Sequence, residues 1–219
     1  KGSQTIPAVA TPEQAFEAAV QFGKFTRLLS AFDSRKLHVT IPGFHNLALR
    51  YRQFEEAMIH GNAARIKQSS QLFRDLRNRQ DILRQFEKLK TNASIKQRVT
   101  HHDTKISNVL FSEHGKGICV IDLDTVMPGY FISDFGDMMR TYLSPVNEEE
   151  TDLSKIEVRD QFFEAIVKGY LDFMHDELTE EEHALMFYSG IFLTYMQAMR
   201  FLTDYCNNDI YYGASREGH

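Results

Sequence analysis

The chain has 219 residues, 42% hydrophobic and 25% charged, with a formal net charge of −5. Such values describe a water-soluble globular chain long enough to bury a sizeable core. The acidic balance speaks against a dedicated nucleic-acid binder. The two cysteines, Cys119 and Cys206, make no disulfide framework and suggest a reducing compartment, the cytoplasm.

The chain opens Lys1-Gly2-Ser3, without an apolar signal segment, and residues 1–10 read as loop. Thr11-Pro12-Glu13-Gln14 carries a cap, a first-turn proline and a glutamine three residues on, so a helix starts there. Ala18, Phe22, Phe25, Leu29 and Phe32 extend it with one apolar stripe. Pro42-Gly43 interrupts the chain, and a second helix is expected over 46–60. A third, longer helix is expected over 63–89. Ten Lys/Arg stand against three Asp/Glu between Arg65 and Arg98, which reads as a solvated helix face rather than a nucleic-acid patch.

The middle of the chain changes character. A short strand is expected near 97–101. Residues 108–111 and 118–121 read as two strands of a hairpin turning at His114-Gly115-Lys116-Gly117. Helices follow near Ser133, over 158–175 and over 180–205, the last opened by a Thr179-x-x-Glu182 capping box. Residues 184–202 approach membrane length, but Gln197 and Arg200 within them favour a buried core helix, so no membrane partner is expected. The fold class expected is mainly α (α+β): a helical bundle with a small β-hairpin, as one domain over residues 1–219.

The strongest chemical signal is His101-His102-Asp103-Thr104-Lys105-Ile106-Ser107-Asn108, which fits H-x-D-x-x-x-x-N. Val120-Ile121-Asp122-Leu123-Asp124 follows across the hairpin. Transfer of a phosphoryl group to an alcohol needs such a set. Asp103 would orient the alcohol and take its proton. The Asn108 amide oxygen and the Asp122 carboxylate would hold Mg²⁺ on the phosphates, since oxygen donors suit that ion. The hairpin should bring Asn108 and Asp122 to one edge. His101 reads as a backbone-orienting group, and His102 is left open. If the strand continued, Asp124 would face the same side as Asp122, as a second ligand or a substrate contact. Asp134-Phe135-Gly136 spells a kinase metal motif, but it lies too far on. Its acid is expected to serve the first turn of a helix capped by Ser133.

Together with Asp137-Met138-Met139-Arg140, these runs resemble the aminoglycoside phosphotransferase and choline kinase-like family. The closer resemblance is to the N-acetylhexosamine 1-kinases. It adds Pro42-Gly43-Phe44-His45-Asn46, the run from Asp122 to Pro128, Arg200-Phe201-Leu202-Thr203-Asp204-Tyr205 and Asn208-Asp209-Ile210-Tyr211-Tyr212. The resemblance implies a protein-kinase-like C-terminal lobe, with ATP as phosphate donor, Mg²⁺, and a small-molecule sugar as acceptor at its anomeric hydroxyl. It implies Asp103 as base and Asn108 and Asp122 as metal ligands. Asp137 would be the buried acid bracing the catalytic loop, and Arg200 and Tyr211 the sugar contacts. Tyr212 stands beside Tyr211, and Arg200 also reads as a cation at a helix C-terminus.

No G-x-G-x-x-G occurs in the chain, and no V-A-I-K-like strand precedes residue 63. The N-terminal nucleotide lobe of the family is therefore expected to be absent, leaving these residues nearly inactive alone. Choline-type and aminoglycoside-type kinases are the alternatives within the fold, and the acidic run at 148–182 permits the second. A non-catalytic helical binding module is the alternative of another class.

Overall fold

A computed structural model describes residues 2–214 and Arg216. The chain divides at Pro42/Gly43, Asn92/Ala93 and Gly190/Ile191 into two compact units. Each unit is described by itself.

The first unit begins with a two-residue strand, β1 (Ser3–Gln4), inside the segment expected as loop. Helix α1 (Pro12–Leu28) starts as read: Thr11 accepts from Gln14 N–H, and Pro12 occupies the first turn. Its inward face packs along α7 (Asp160–Met174). The two backbones approach closely. A Cβ on Gly169 would lie 2.4 Å from the Phe16 carbonyl, and one on Gly23 would lie 2.8 Å from that of Tyr170. Only a residue without a side chain fits those two positions.

Strand β2 (Gln97–Thr100) leads into the motif, and β3 (Val109–Ser112) leads out of it. β3 pairs antiparallel with β1 and with β4 (Gly117–Val120), closing the expected hairpin around the left-handed Gly115. The run Met127–Tyr130, for which the sequence suggests no strand, is a fifth strand, β5. It pairs antiparallel with β2, with Pro128 opposite Val99. A proline is tolerated because the sheet has only these two strands, so both are edges. β5 runs straight into helix α6 (Phe131–Tyr142). Ser133 is therefore not a cap but a buried residue of the first turn.

Helix α8 (Glu180–Ala184) opens with the complete capping box: Thr179 accepts from Glu182 N–H, and the Glu182 carboxylate accepts from Thr179 N–H. The same carboxylate takes both prongs of Arg98 and the Lys96 amide, fully buried. Helix α9 (Met186–Cys206) follows after Leu185, so the single helix expected over 180–205 is two.

The second unit holds α2 (Leu47–His60), capped by Asn46. Instead of one long helix over 63–89 there are three: α3 (Ala63–Gln68), α4 (Ser70–Arg77) and α5 (Gln80–Thr91). The breaks fall at Ser69 and at Asn78-Arg79, where side chains that compete for backbone bonds weaken a helix interior. Phe54 and Phe73 meet at 5.1 Å between ring centres, and Phe86 stacks on Phe192 at 5.3 Å. Among the described residues no helix is long and apolar enough to cross a membrane.

Candidate active site

Residues 101–104 join β2 to a helical turn at Ile106–Asn108 and have no strand partner of their own. Their backbone amides still need acceptors, because the loop is largely buried. Side chains supply all four. Asp134 accepts from the His101 amide at 2.9 Å and the His102 amide at 2.7 Å. Asp137 accepts from the Thr104 amide at 2.8 Å. The Asp103 amide donates to His101 Nδ1 at 3.3 Å.

Asp134 and Asp137 are three residues apart on α6, so both face the loop from one side of the helix. The acid of the D-F-G run thus does not serve its own helix turn, as the sequence reading had it. It lies in that first turn, but its carboxylate goes to the loop amides. Asp137 is also held by Arg140, which reaches its second oxygen at 2.9 Å. Burial pushes the Asp134 carboxyl up to about 6, against the pull of the His101 and His102 amides.

The ring of His101 is fully buried between Phe22 and Phe25, both edge-on. Its Nε2 lies 3.0 Å from the Ile121 carbonyl, which can only accept. Its Nδ1 takes the Asp103 amide, which can only donate. The tautomer is therefore fixed, with the proton on Nε2. Both nitrogens are committed to backbone, so the ring orients the loop and ties it to the end of β4.

His102 sits in the left-handed region with φ 67°. Its Nδ1 lies 3.1 Å from the Thr100 carbonyl. Its ring packs so closely on β5 that a Cβ at Gly129 would stand 2.5 Å from Nε2. Burial pushes its imidazole down to about 4, so it is neutral at physiological pH. Three groups that sequence reasoning missed complete the loop. Thr125 donates to the His101 carbonyl at 2.6 Å, and Tyr142 donates to that of Thr104. Lys105 lies 3.2 Å from Asp103. Only Lys105 carried a sequence signal, its place two residues after the motif aspartate.

The loop leaves Asp103 partly exposed. Asn108 directs its amide hydrogens to Asp103, at 2.9 Å to the carbonyl and 3.0 Å to the carboxylate. That orientation turns the Asn108 oxygen away as an acceptor. The Ile121 amide donates to the Asn108 carbonyl at 2.9 Å, and Asp122 follows directly. The hairpin thus sets Asn108 beside the residue that precedes Asp122. Asp122 is exposed and left-handed, with φ 62° and ψ 68°, a conformation uncommon outside glycine. One amide oxygen and one carboxylate fit a hard, oxygen-seeking cation that keeps water and phosphate in its shell. Asp124 differs from expectation. The strand ends before Asp122, and Leu123–Thr125 form a helical turn, so the alternation placing Asp124 on Asp122's side does not apply.

Arg200 and Tyr211 belong to the second unit. The Arg200 guanidinium lies 5.4 Å from the centre of the Phe44 ring, 5.8 Å from Tyr211 and 5.4 Å from Tyr212. Both tyrosines follow a turn in which Asn208 and Asp209 are left-handed. Asp204 fixes that turn by accepting from the Tyr211 and Tyr212 amides, each at 2.8 Å.

The model of a family described as a phosphotransferase enzyme family matches residues 2–180. Among solved structures, a choline kinase from Cryptosporidium parvum Iowa II is similar, with a TM-score of 0.51 at 15% identity over 94% of this chain. An aminoglycoside phosphotransferase from Alicyclobacillus acidocaldarius has a TM-score of 0.46 at 15% identity, also over 94% of this chain. The chain spans 66% of the length of the first and 70% of the second. The likeness to the first of these structures makes the fold kinase-like: mostly helical, with small antiparallel sheets.

Proposed function

The chain belongs to the phosphotransferase enzyme family, and we propose that it serves transfer of the γ-phosphoryl group of ATP to the anomeric hydroxyl of an N-acetylhexosamine. The observation that carries this reading is the braced loop. Asp134, Asp137 and His101 hold its four amides, and Asp103 emerges from it next to Asn108.

In this reading Asp103 is the catalytic base. It accepts the hydrogen bond of the acceptor hydroxyl, aims its oxygen in line with the phosphorus, and takes the proton as the new bond forms. Lys105 offers a positive charge beside that carboxylate. Asn108 and Asp122 are the residues that would hold Mg²⁺, which supplies neutralisation of charge on the transferred phosphates. Asp137 and His101 are positioning residues. Arg200 and Tyr211, within the second unit, are the candidate sugar contacts that the resemblance implies. No G-x-G-x-x-G occurs in the chain, so the loop covering the ATP phosphates is assigned to residues other than these.

The choline-type alternative needs free aromatic faces for a quaternary ammonium. Phe44, Tyr211 and Tyr212 would offer them, but Arg200 already lies over all three rings. That observation favours a sugar over a cationic acceptor. The non-catalytic alternative has to explain why Asn108 pairs with Asp103 at the braced loop while Asp122 follows the residue bonded to Asn108.

The test is an ATP-consumption assay on the full-length gene product, with N-acetylglucosamine, N-acetylgalactosamine, choline and kanamycin as acceptors. A hexosamine 1-phosphate should form, and Asp103→Asn should lower kcat by about 10²–10⁴-fold with the fold intact. Turnover of choline or kanamycin alone overturns the acceptor, and undiminished turnover in Asp103→Asn overturns the site.

A further inference from the structure

The second unit contains a pocket of ≈ 580 Å³ between α2 and the end of α9, with Tyr211 and Tyr212 in its lining. Its volume suits a small molecule. Two arginines line it, Arg50 from α2 and Arg200 from α9. Neither makes an ion pair among the described residues. Arg50 donates through Nη1 to the Gln53 amide oxygen at 2.9 Å and through Nη2 to the Phe44 carbonyl at 3.2 Å. Its Nε is buried without an acceptor. Arg200 donates through Nη1 to Gln197 at 3.0 Å. The two cations are close enough to act on each other: burial, and then the charge of Arg200, hold the Arg50 guanidinium below its ordinary range.

The pocket's own acids do not offset this. Both oxygens of Asp204 take backbone amides, from Tyr211 and Tyr212. Glu56 also lines the pocket but is exposed. The contrast with Arg65 in the same unit is direct, since that arginine has Asp209 as a partner. A guanidinium flanked by rings has its flat faces covered and its N–H edge available. That edge matches the two oxygens of a carboxylate or phosphate.

We propose that this pocket binds the anionic group of a ring-sized ligand, a phosphate ester or a carboxylate, with Arg200 and Arg50 on the anion and Tyr211 and Tyr212 against the ring. A neutral sugar would leave two unmatched cations in a concave, partly desolvated site, whereas an anion matches both. The inference rests on the proposed function in one respect: Arg200 and Tyr211 are the residues assigned there to the acceptor. The acceptor is then an N-acetylhexosamine carrying its own negative charge.

Calorimetric titration of the protein tests this with N-acetylglucosamine, its 6-phosphate, glucuronate, inorganic phosphate and choline. The sugar phosphate or glucuronate should bind about tenfold or more tightly than the neutral sugar, and the preference should shrink in high salt. Arg50→Gln should remove the preference while the neutral sugar's affinity holds. Its melting temperature should not fall, because one of two like charges is gone. Arg50→Lys keeps the charge without the fork and should retain part of the preference. Equal binding of neutral and anionic sugars overturns the inference, as does tighter binding of choline. Inorganic phosphate binding as well as the sugar phosphate removes the ring from it. The two readings fail separately. ATP-dependent phosphorylation of a neutral hexosamine without anion preference sinks the pocket alone. Arg50-dependent anion binding without phosphoryl transfer sinks the proposed function alone.

Discussion

His102 and Asp134 meet at one amide, yet burial moves their titrations in opposite senses. The His102 imidazole is pushed down to about 4 by loss of solvent, and the Asp134 carboxyl is pushed up to about 6 by the same cause. The signs follow from which form burial disfavours. An unfolded chain protonates His102 below its ordinary value near 6.5, and the folded chain does so only near 4. Its stabilising effect is therefore full above pH 6.5 and is lost as pH falls towards 4, on the order of 3 kcal/mol across that window. Asp134 runs the other way: its contribution is full below its ordinary value of 3.8 and is lost as pH rises through about 6. The two slopes oppose each other between pH 4 and 6. His102→Asn should expose the second slope. Asparagine accepts the left-handed backbone at this position, so the variant should fold. Urea unfolding at pH 7.5 and 4.5 should show the variant losing less stability on acidification than the wild type. An equal loss in both proteins would mean that His102 is protonated in the folded state.

At the scale of elements, most capping was readable, with Ser133 the exception inside the first turn of α6, and pairing was not. Thr11, Asn46 and Thr179 each cap a helix where the sequence pattern puts one, because a cap is a local bond within four residues. The hairpin was readable for the same reason: Gly115 marks its turn. β5 was not, since Met127–Tyr130 becomes a strand only through its partner β2, some thirty residues earlier in the chain. The Asp134 contacts to the loop amides span 32 and 33 residues and left no local trace either. In the α3–α5 region no proline or glycine marks the breaks, yet the backbone is interrupted at Ser69 and at Asn78-Arg79. Glu182 shows a local signal concealing a non-local one. As a box residue it accepts from Thr179 N–H, and as a buried acid it holds Arg98 and Lys96. The two roles separate by magnitude. Thr179→Ala should cost about 1 kcal/mol, the ordinary worth of a cap. Glu182→Gln should cost about 3–5 kcal/mol, because Arg98 is then buried without its counter-charge. Chemical denaturation of both variants measures the difference, and similar costs would reduce Glu182 to its capping role.

At the scale of the whole molecule, the question is what the candidate metal ligands do for the fold. The sequence singles out Asp103, Asn108 and Asp122 as candidates by chemistry, with Asp137 expected as the brace of their loop and His101 as its backbone-orienting group, but it carries no sign of the shares taken by Asp134, Thr125 and Tyr142. In the structure the loop's amides end on Asp134, Asp137 and His101, with Thr125 and Tyr142 on two of its carbonyls. None of these bonds involves Asn108 or Asp122 as an acceptor. The loop should therefore keep its shape with or without a divalent cation, unlike small domains that fold only around their metal. A pair of donors, one of them neutral, should bind Mg²⁺ weakly in the absence of phosphates. With a dissociation constant of about 5 mM and about 5 mM Mg²⁺, the stabilisation is about 0.4 kcal/mol. In a chain of this size that shifts the melting temperature by about 1–2 °C. Melting in EDTA and in Mg²⁺, without nucleotide, should thus give nearly coincident curves. Asp122→Asn should leave both unchanged or slightly raised, since asparagine tolerates the left-handed backbone without the carboxylate's charge. A loss of cooperative melting in EDTA would show instead that the cation is part of the fold, and that the bracing carboxylates do not hold the loop by themselves.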